Sequence, residues 1–222
     1  MKPMLLNTAM VRATRDNQKS ETRRAIKVPN GYELKAQGMR TDGKYSKNKK
    51  FVALFEDDLG FSELVESAYS VGDVVYVRET FAFSKHRKRI LYKADYSDDY
   101  DIKYNWETTW KPSIHMPKKH ARIFLKITDV RVERLEDISE DDIEKEGIVS
   151  VTAPTFGDDY TYHSYYGIPD YKNLTNIFYE TIYGDAPEVE AFKHLWNSTA
   201  KYGYEWEDNP YVFVYKYKRI EL

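Results

Sequence analysis

The sequence predicts an α+β fold, a mixed β-barrel with helices packed at its ends. Three observations lead there. β-Branched and aromatic residues dominate 74–83 and 211–220, and 121–134 alternate apolar with polar in their second half. Helix start and stop signals bracket 7–17 and 137–147. The order helix, strand, strands, strand, helix, strand is neither the strict alternation of a parallel α/β sheet nor the strand-only order of a sandwich. The chain of 222 residues fits a single domain, 1–222, with insertions expected at 29–70 and 151–200.

Asn7 or Thr8 can cap a short helix that ends near Asp16 and Asn17, where asparagine tolerates the left-handed conformation that closes a helix. Residues 22–28 then read as a strand, and 29–50, rich in Gly, Lys, Asn and Ser, as a long basic loop. A turn at 70–73 leads into 74–83, expected as a central strand with 90–94 as its hairpin partner and an acidic loop at 95–101. Prolines 112 and 117 bracket an ordered extended loop at 110–117. Residues 121–134 alternate in their second half and predict a long strand with one polar face. Ser139 followed by Asp142 is a capping-box signal for a short acidic helix closed at Gly147. The tyrosine-rich stretch 151–170 reads as a loop, 173–183 and 187–197 as helices, and 211–220 as a terminal strand.

Composition excludes several chemistries. There is no cysteine, so disulfides, thiolate metal sites and cysteine nucleophiles are ruled out. The five histidines form no His-x-x-x-His pair and no acidic cluster has calcium spacing, so neither metal nor cofactor is expected. Lys and Arg number 34 against 36 Asp and Glu, so nucleic acid could be held only by a local patch. Basic residues do cluster at 44–50, 86–89 and 111–122, with Tyr45, Phe51, Trp106 and Trp110 close by. The 20 tyrosines serve either as half-buried strand faces or as stacking platforms for bases. No apolar run approaches the ~18 residues of a membrane span, and the N-terminus lacks a secretory pattern. The expectation is a cytoplasmic protein with no membrane partner.

Lys19 and Thr22 stand where the first helix gives way to a strand. A threonine hydroxyl becomes a nucleophile when a base takes its proton, and lysine can be that base when desolvation or nearby cations, here Arg23 and Arg24, lower its pKa. The two arginines equally suit salt bridges with the acidic helix or bidentate contacts to phosphate. Glu146 precedes the glycine that ends that helix, where the dipole disfavours a carboxylate and favours its protonation. Alternation places Arg78 and Glu79 on opposite faces of their strand, so one points inward and needs an ion-pair partner or a ligand. His115, in the proline-bracketed loop with Trp110, is either a base or phosphate contact or a hydrogen-bonded structural histidine.

Three segments in this order, Met10 through Arg24, Val71 through Phe81 and Ile138 through Gly147, resemble the ASCH domain, a β-barrel related to the RNA-binding PUA fold. The likeness is closest to the longer ASCH-like proteins of bacteriophages and prophages, which also carry segments like Trp110 through Pro117 and Trp206 through Val212. Small ASCH proteins include amidohydrolases that deacylate N4-acetylcytidine with a lysine, a threonine three residues later and a glutamate near the end of the later helix. The resemblance therefore implies Thr22 as nucleophile, Lys19 as its general base and Glu146 as the group handling the amine proton. It implies a nucleoside or single-stranded RNA as partner, for which the reading of the residues themselves offers Arg23, Arg24, Arg78, Glu79, Trp110 and His115 as binding candidates. Asn17 stands where the family usually has glycine, and Ser20-Glu21 replaces a more threonine-rich stretch. Other ASCH members are RNA-binding modules or single-strand ribonucleases, so the same residues also suit binding without turnover.

Overall fold

In a computed structural model, residues 1–40, 50–84, 88–96, 109–154, 162–167, 179–180 and 187–222 are described. The architecture is α+β, and the C-terminal strand β13 (Tyr211–Ile220) is flanked by β9 (Phe124–Arg134) and β2 (Glu21–Ala25). The five-stranded sheet is completed by β6 (Val74–Arg78) and β1 (Lys2–Leu5), in the order β1-β6-β9-β13-β2, with only β1 and β6 parallel.

β13 is apolar on both faces because both are covered. Phe213, Tyr215 and Tyr217 face a core with Met4, Val75, Val77, Leu125 and Ile127. Val212 and Val214, one residue out of phase, pack beneath the helices with Leu135, Ile143, Phe192 and Trp206. A second sheet of β3 (Glu33–Arg40), β4 (Lys50–Glu56) and β5 (Ser62–Glu66) packs on the first core, with Phe51 edge-on to Phe213 and Phe55 edge-on to Tyr211.

The hydrogen-bonded ladders among the described residues do not close into a barrel. The two edge strands nevertheless approach each other: Arg24 Nη2 on β2 donates to Leu5 O on β1 at 2.8 Å. In a flat sheet those edges would stand roughly 19 Å apart, more than an arginine can span, so the sheet is strongly curled. Tyr69 and Tyr215 fill the interior at this seam, the first donating to Pro3 O at 2.6 Å and the second hydrogen-bonded to Ser67 at 2.9 Å.

Helix α1 (Thr8–Arg15) starts at Asn7, whose side chain accepts from Met10 N, and its exit is turned by Asn17 at φ 60°. Helix α2 (Glu140–Lys145) is capped by Ser139, which accepts from Asp142 N, and ends on Gly147 at φ 97°. Both ends follow the sequence signals. Helix α3 (Pro187–Asn197) matches the second of the two late helices expected.

Four expectations are corrected. Residues 74–83 form two strands, β6 and β7 (Phe81–Ser84), because the chain leaves the sheet at Glu79, which is drawn into an ion pair with Arg122. β7 pairs with β8 (Arg89–Tyr92), near the expected hairpin partner, while β9 and not β6 is the middle strand. Within 29–50, β3 is a strand whose alternation is interrupted by a bulge between Leu34 and Ala36; 41–49 lie outside the described residues. Within 151–170, β10 (Val149–Pro154) and β11 (Tyr162–Gly167) pair antiparallel, their β-favouring Val, Thr and Tyr content prevailing over the nearby Gly and Pro. Tyr179–Glu180, expected as helix, forms a short strand β12 on β11. The rest of 173–183, with His86, Trp106 and residues 97–101, lies outside the described residues. No described helix is long and apolar enough to cross a membrane.

Candidate active site

The turn after α1 and the end of α2 are locked together by main-chain bonds. Gln18 N and Lys19 N both donate to Ala13 O, and Ser20 N donates to Lys145 O at 2.8 Å. Gly147 makes this approach possible: a Cβ there would stand 3.2 Å from Ala13 Cβ and 3.3 Å from Lys19 Cβ. The result aims the Lys19 side chain at the carbonyl end of α2, where partial negative charge favours a cation.

Lys19 is entirely buried. Its Nζ donates to the main-chain oxygen of Glu146 at 2.8 Å and makes a short hydrogen bond to the Glu146 carboxylate. Burial pulls the Lys19 pKa down, and the neighbouring Arg24 and Arg23 add to that against the opposing pull of Glu146. The other Glu146 oxygen accepts from Arg23 Nη1 at 3.1 Å. Arg23 also reaches Glu133 at 2.7 Å and Asp142 at 3.3 Å, and its guanidinium lies 5.9 Å from the centre of the Phe192 ring. Arg131 extends the network to Glu133, Asp142 and Glu21, and Lys145 pairs with Asp142. Buried charge is thus matched by opposite charge on every side. The expected pairing of Arg23 with the acidic helix is present.

Thr22 is one of three described residues with a buried, unpartnered side-chain atom, beside Gln18 and Arg78. It is 1% exposed, and its Oγ1 has no hydrogen-bond partner among the described residues. It lines a cavity of about 30 Å³ together with Glu146, Arg23, Arg24, Met10 and Phe192. That space accepts a small polar group such as a carbonyl or an amine, not a pyrimidine ring. The cavity shares Arg23, Arg24, Trp196 and Thr199 with a larger hollow of about 580 Å³, which is of small-molecule size.

The structure therefore brings together Lys19, Glu146 and Arg23 by direct bonds, and Thr22 and Arg24 by a common cavity wall. Lys19 does not hydrogen-bond Thr22 here, being engaged by Glu146. The remaining candidates gather elsewhere. Both oxygens of the buried Glu79 are taken by Arg122 at 2.9 and 2.8 Å. Arg78 donates to Ile114 O at 3.0 Å beside the exposed His115, and Trp110 lies 5.4 Å from Lys93 Nζ and 5.9 Å from the Tyr96 ring.

Sequence reasoning missed Glu133 as a partner of Arg23 and missed the α3 wall. Charges at 129, 131 and 133 on the polar face of β9 were a signal for the first. Nothing in the spacing of Phe192, Trp196 and Thr199 ties them to Thr22. Among the described residues no cluster of His, Asp or Glu could hold a metal ion. Compared with known proteins, the chain matches no family model, no curated protein and no solved structure.

Proposed function

We propose that this chain is an ASCH-like protein of the PUA type that hydrolyses the amide of an N4-acylated cytidine, with Thr22 as nucleophile. The observation that carries the reading is the unpartnered Thr22 hydroxyl, buried on a cavity wall shared with Glu146, whose carboxylate engages a lysine of lowered pKa. A buried hydroxyl without a partner is unfavourable by roughly 1–3 kcal/mol, which is tolerable at a site that a ligand completes. The curled sheet, whose edges are joined by Arg24, supports the barrel-like family assignment.

In the reaction, Lys19 passes its contact from Glu146 to Thr22. The neutral amine takes the hydroxyl proton as Oγ1 attacks the acyl carbon. The tetrahedral adduct collapses with cleavage of the C–N bond, and the N4 nitrogen leaves as an amine with the proton held by Lys19 or relayed through Glu146. Water then hydrolyses the acyl-threonine ester, releasing a carboxylic acid. The small cavity receives the acyl carbonyl, while the base ring occupies the adjoining hollow. Incubation with N4-acetylcytidine is expected to release cytidine, with kcat lowered by about 10²–10⁴ in Thr22→Ala and in Lys19→Ala. Full activity in both folded variants overturns the mechanism.

A second reading, binding without turnover, is favoured by the engagement of Lys19 with Glu146 and by the small volume in front of Thr22. It predicts single-stranded RNA binding that weakens steeply between low and physiological salt and is indifferent to Thr22→Ala.

A further inference from the structure

The hollow that adjoins the Thr22 cavity differs in charge from the rest of the molecule. Arg24, Lys27 and Lys201 line it, and no described lining residue is acidic, in a chain where acidic residues outnumber basic ones, 36 to 34. Arg23, which also lines the hollow, is held by carboxylates, as are Arg122, Arg131 and Lys145 away from it. Arg24 instead donates only to the carbonyls of Arg23 and Leu5, and among the described residues neither it, Lys27 nor Lys201 has an ion pair. The hollow also has flat aromatic walls. Trp196 Nε1 donates to Tyr204 O at 2.8 Å, which fixes the indole and ties the segment carrying Lys201 and Tyr204 onto α3.

Unpaired cations beside a fixed indole and a tyrosine ring, in a hollow that shares four lining residues with the cavity of the unpartnered Thr22 hydroxyl, describe a receptor for a flat ring that carries an anionic group. We propose that the group bound here is a nucleotide and not a free nucleoside. Its phosphate lies among Arg24, Lys27 and Lys201, its base lies against Trp196 or Tyr204, and its exocyclic substituent points toward Thr22. This rests on the functional reading above for the identity of the ring, and adds the phosphate. The phosphate belongs either to a mononucleotide or to a strand terminating in the hollow.

Equilibrium titration of the full chain with cytidine, cytidine 3′- and 5′-monophosphate and a cytidine trinucleotide tests this. At low salt at least one monophosphate is expected to bind about tenfold tighter than cytidine. The Lys27→Ala/Lys201→Ala double variant alters two exposed side chains. It is expected to lower monophosphate affinity by about fivefold while leaving cytidine within about twofold. Equal affinities for cytidine and both monophosphates, or a variant that loses the two ligand types alike, overturn the proposal. A trinucleotide that binds tighter still, with a salt slope near 0.7 per phosphate, identifies the source as a strand. A trinucleotide no tighter than the monophosphate identifies a mononucleotide. Phosphate-dependent binding without amide hydrolysis sinks the hydrolase reading alone, whereas hydrolysis of N4-acetylcytidine with no phosphate preference sinks this proposal alone.

Discussion

With its side chain 1% exposed and the carboxylates of Glu133, Asp142 and Glu146 all within 3.3 Å, Arg23 is a buried cation that organises three acids. Arg23→Met would remove one cationic partner from each of three carboxylates in a low-dielectric site, and is expected to lower unfolding free energy by about 3–5 kcal/mol. Urea denaturation measures it, and a loss below about 1 kcal/mol would contradict the network described. Gly147 combines φ 97° with close Cβ approaches to Ala13 and Lys19, so Gly147→Ala is expected to cost about 1–3 kcal/mol and to loosen the Lys19–Glu146 contact. In the proposed mechanism the neutral amine of Lys19 is the base, so kcat should rise with pH along a limb whose midpoint lies below the ordinary lysine value of 10.5. A pH–rate profile with no rising limb at any pH below 10.5 would remove Lys19 as the base.

Among the elements, the readable ones were those whose pattern is set locally. β13 stands out as an unbroken apolar and aromatic run because both of its faces are buried, and α1 and α2 announced themselves through Asn7, Ser139, Asn17 and Gly147. β3 was illegible because its partner chemistry is not local. Its bulge breaks the alternation, and Gln37 spends its amide on the main chain of Val132 at 3.0 and 2.5 Å, on the stretch of β9 that β6 does not reach. β13 also makes a prediction of its own. Tyr217 is buried against Thr14 at 3.2 Å, and burial raises its pKa above the ordinary phenol value, as it does for Tyr215. The unfolded chain releases these protons near pH 10, about where free tyrosine titrates, while the folded chain still holds them. Stability is therefore intact below that pH and falls as pH rises above it. Urea midpoints compared at about pH 9 and about pH 11 should show a smaller alkaline loss in Tyr217→Phe than in the unaltered protein. An equal loss in both would mean that Tyr217 titrates alike in the two states.

Across the whole molecule, the site lies where β2, α1, α2 and α3 meet, next to the seam at which a curled sheet brings its two edges within reach of Arg24. The spacing of Lys19 and Thr22 held almost no information by itself; family resemblance put Glu146 beside them, 127 residues along the chain from Lys19. The direct Lys19–Glu146 bond and the Thr22 cavity are what the fold adds. Arg78, Glu79 and Trp110 make contacts with Ile114, Arg122 and Lys93 that only the tertiary arrangement creates. The central claim is that Thr22 forms a covalent bond to an acyl group. Rapid acid quench of the protein with N4-acetylcytidine, followed by peptide mass spectrometry, reads this directly. An acetyl mass on the peptide containing Thr22, absent in Thr22→Val and in the unreacted protein, is the predicted result; cytidine release with no acyl group ever found on that peptide, and with turnover unaffected in Thr22→Val, would contradict it.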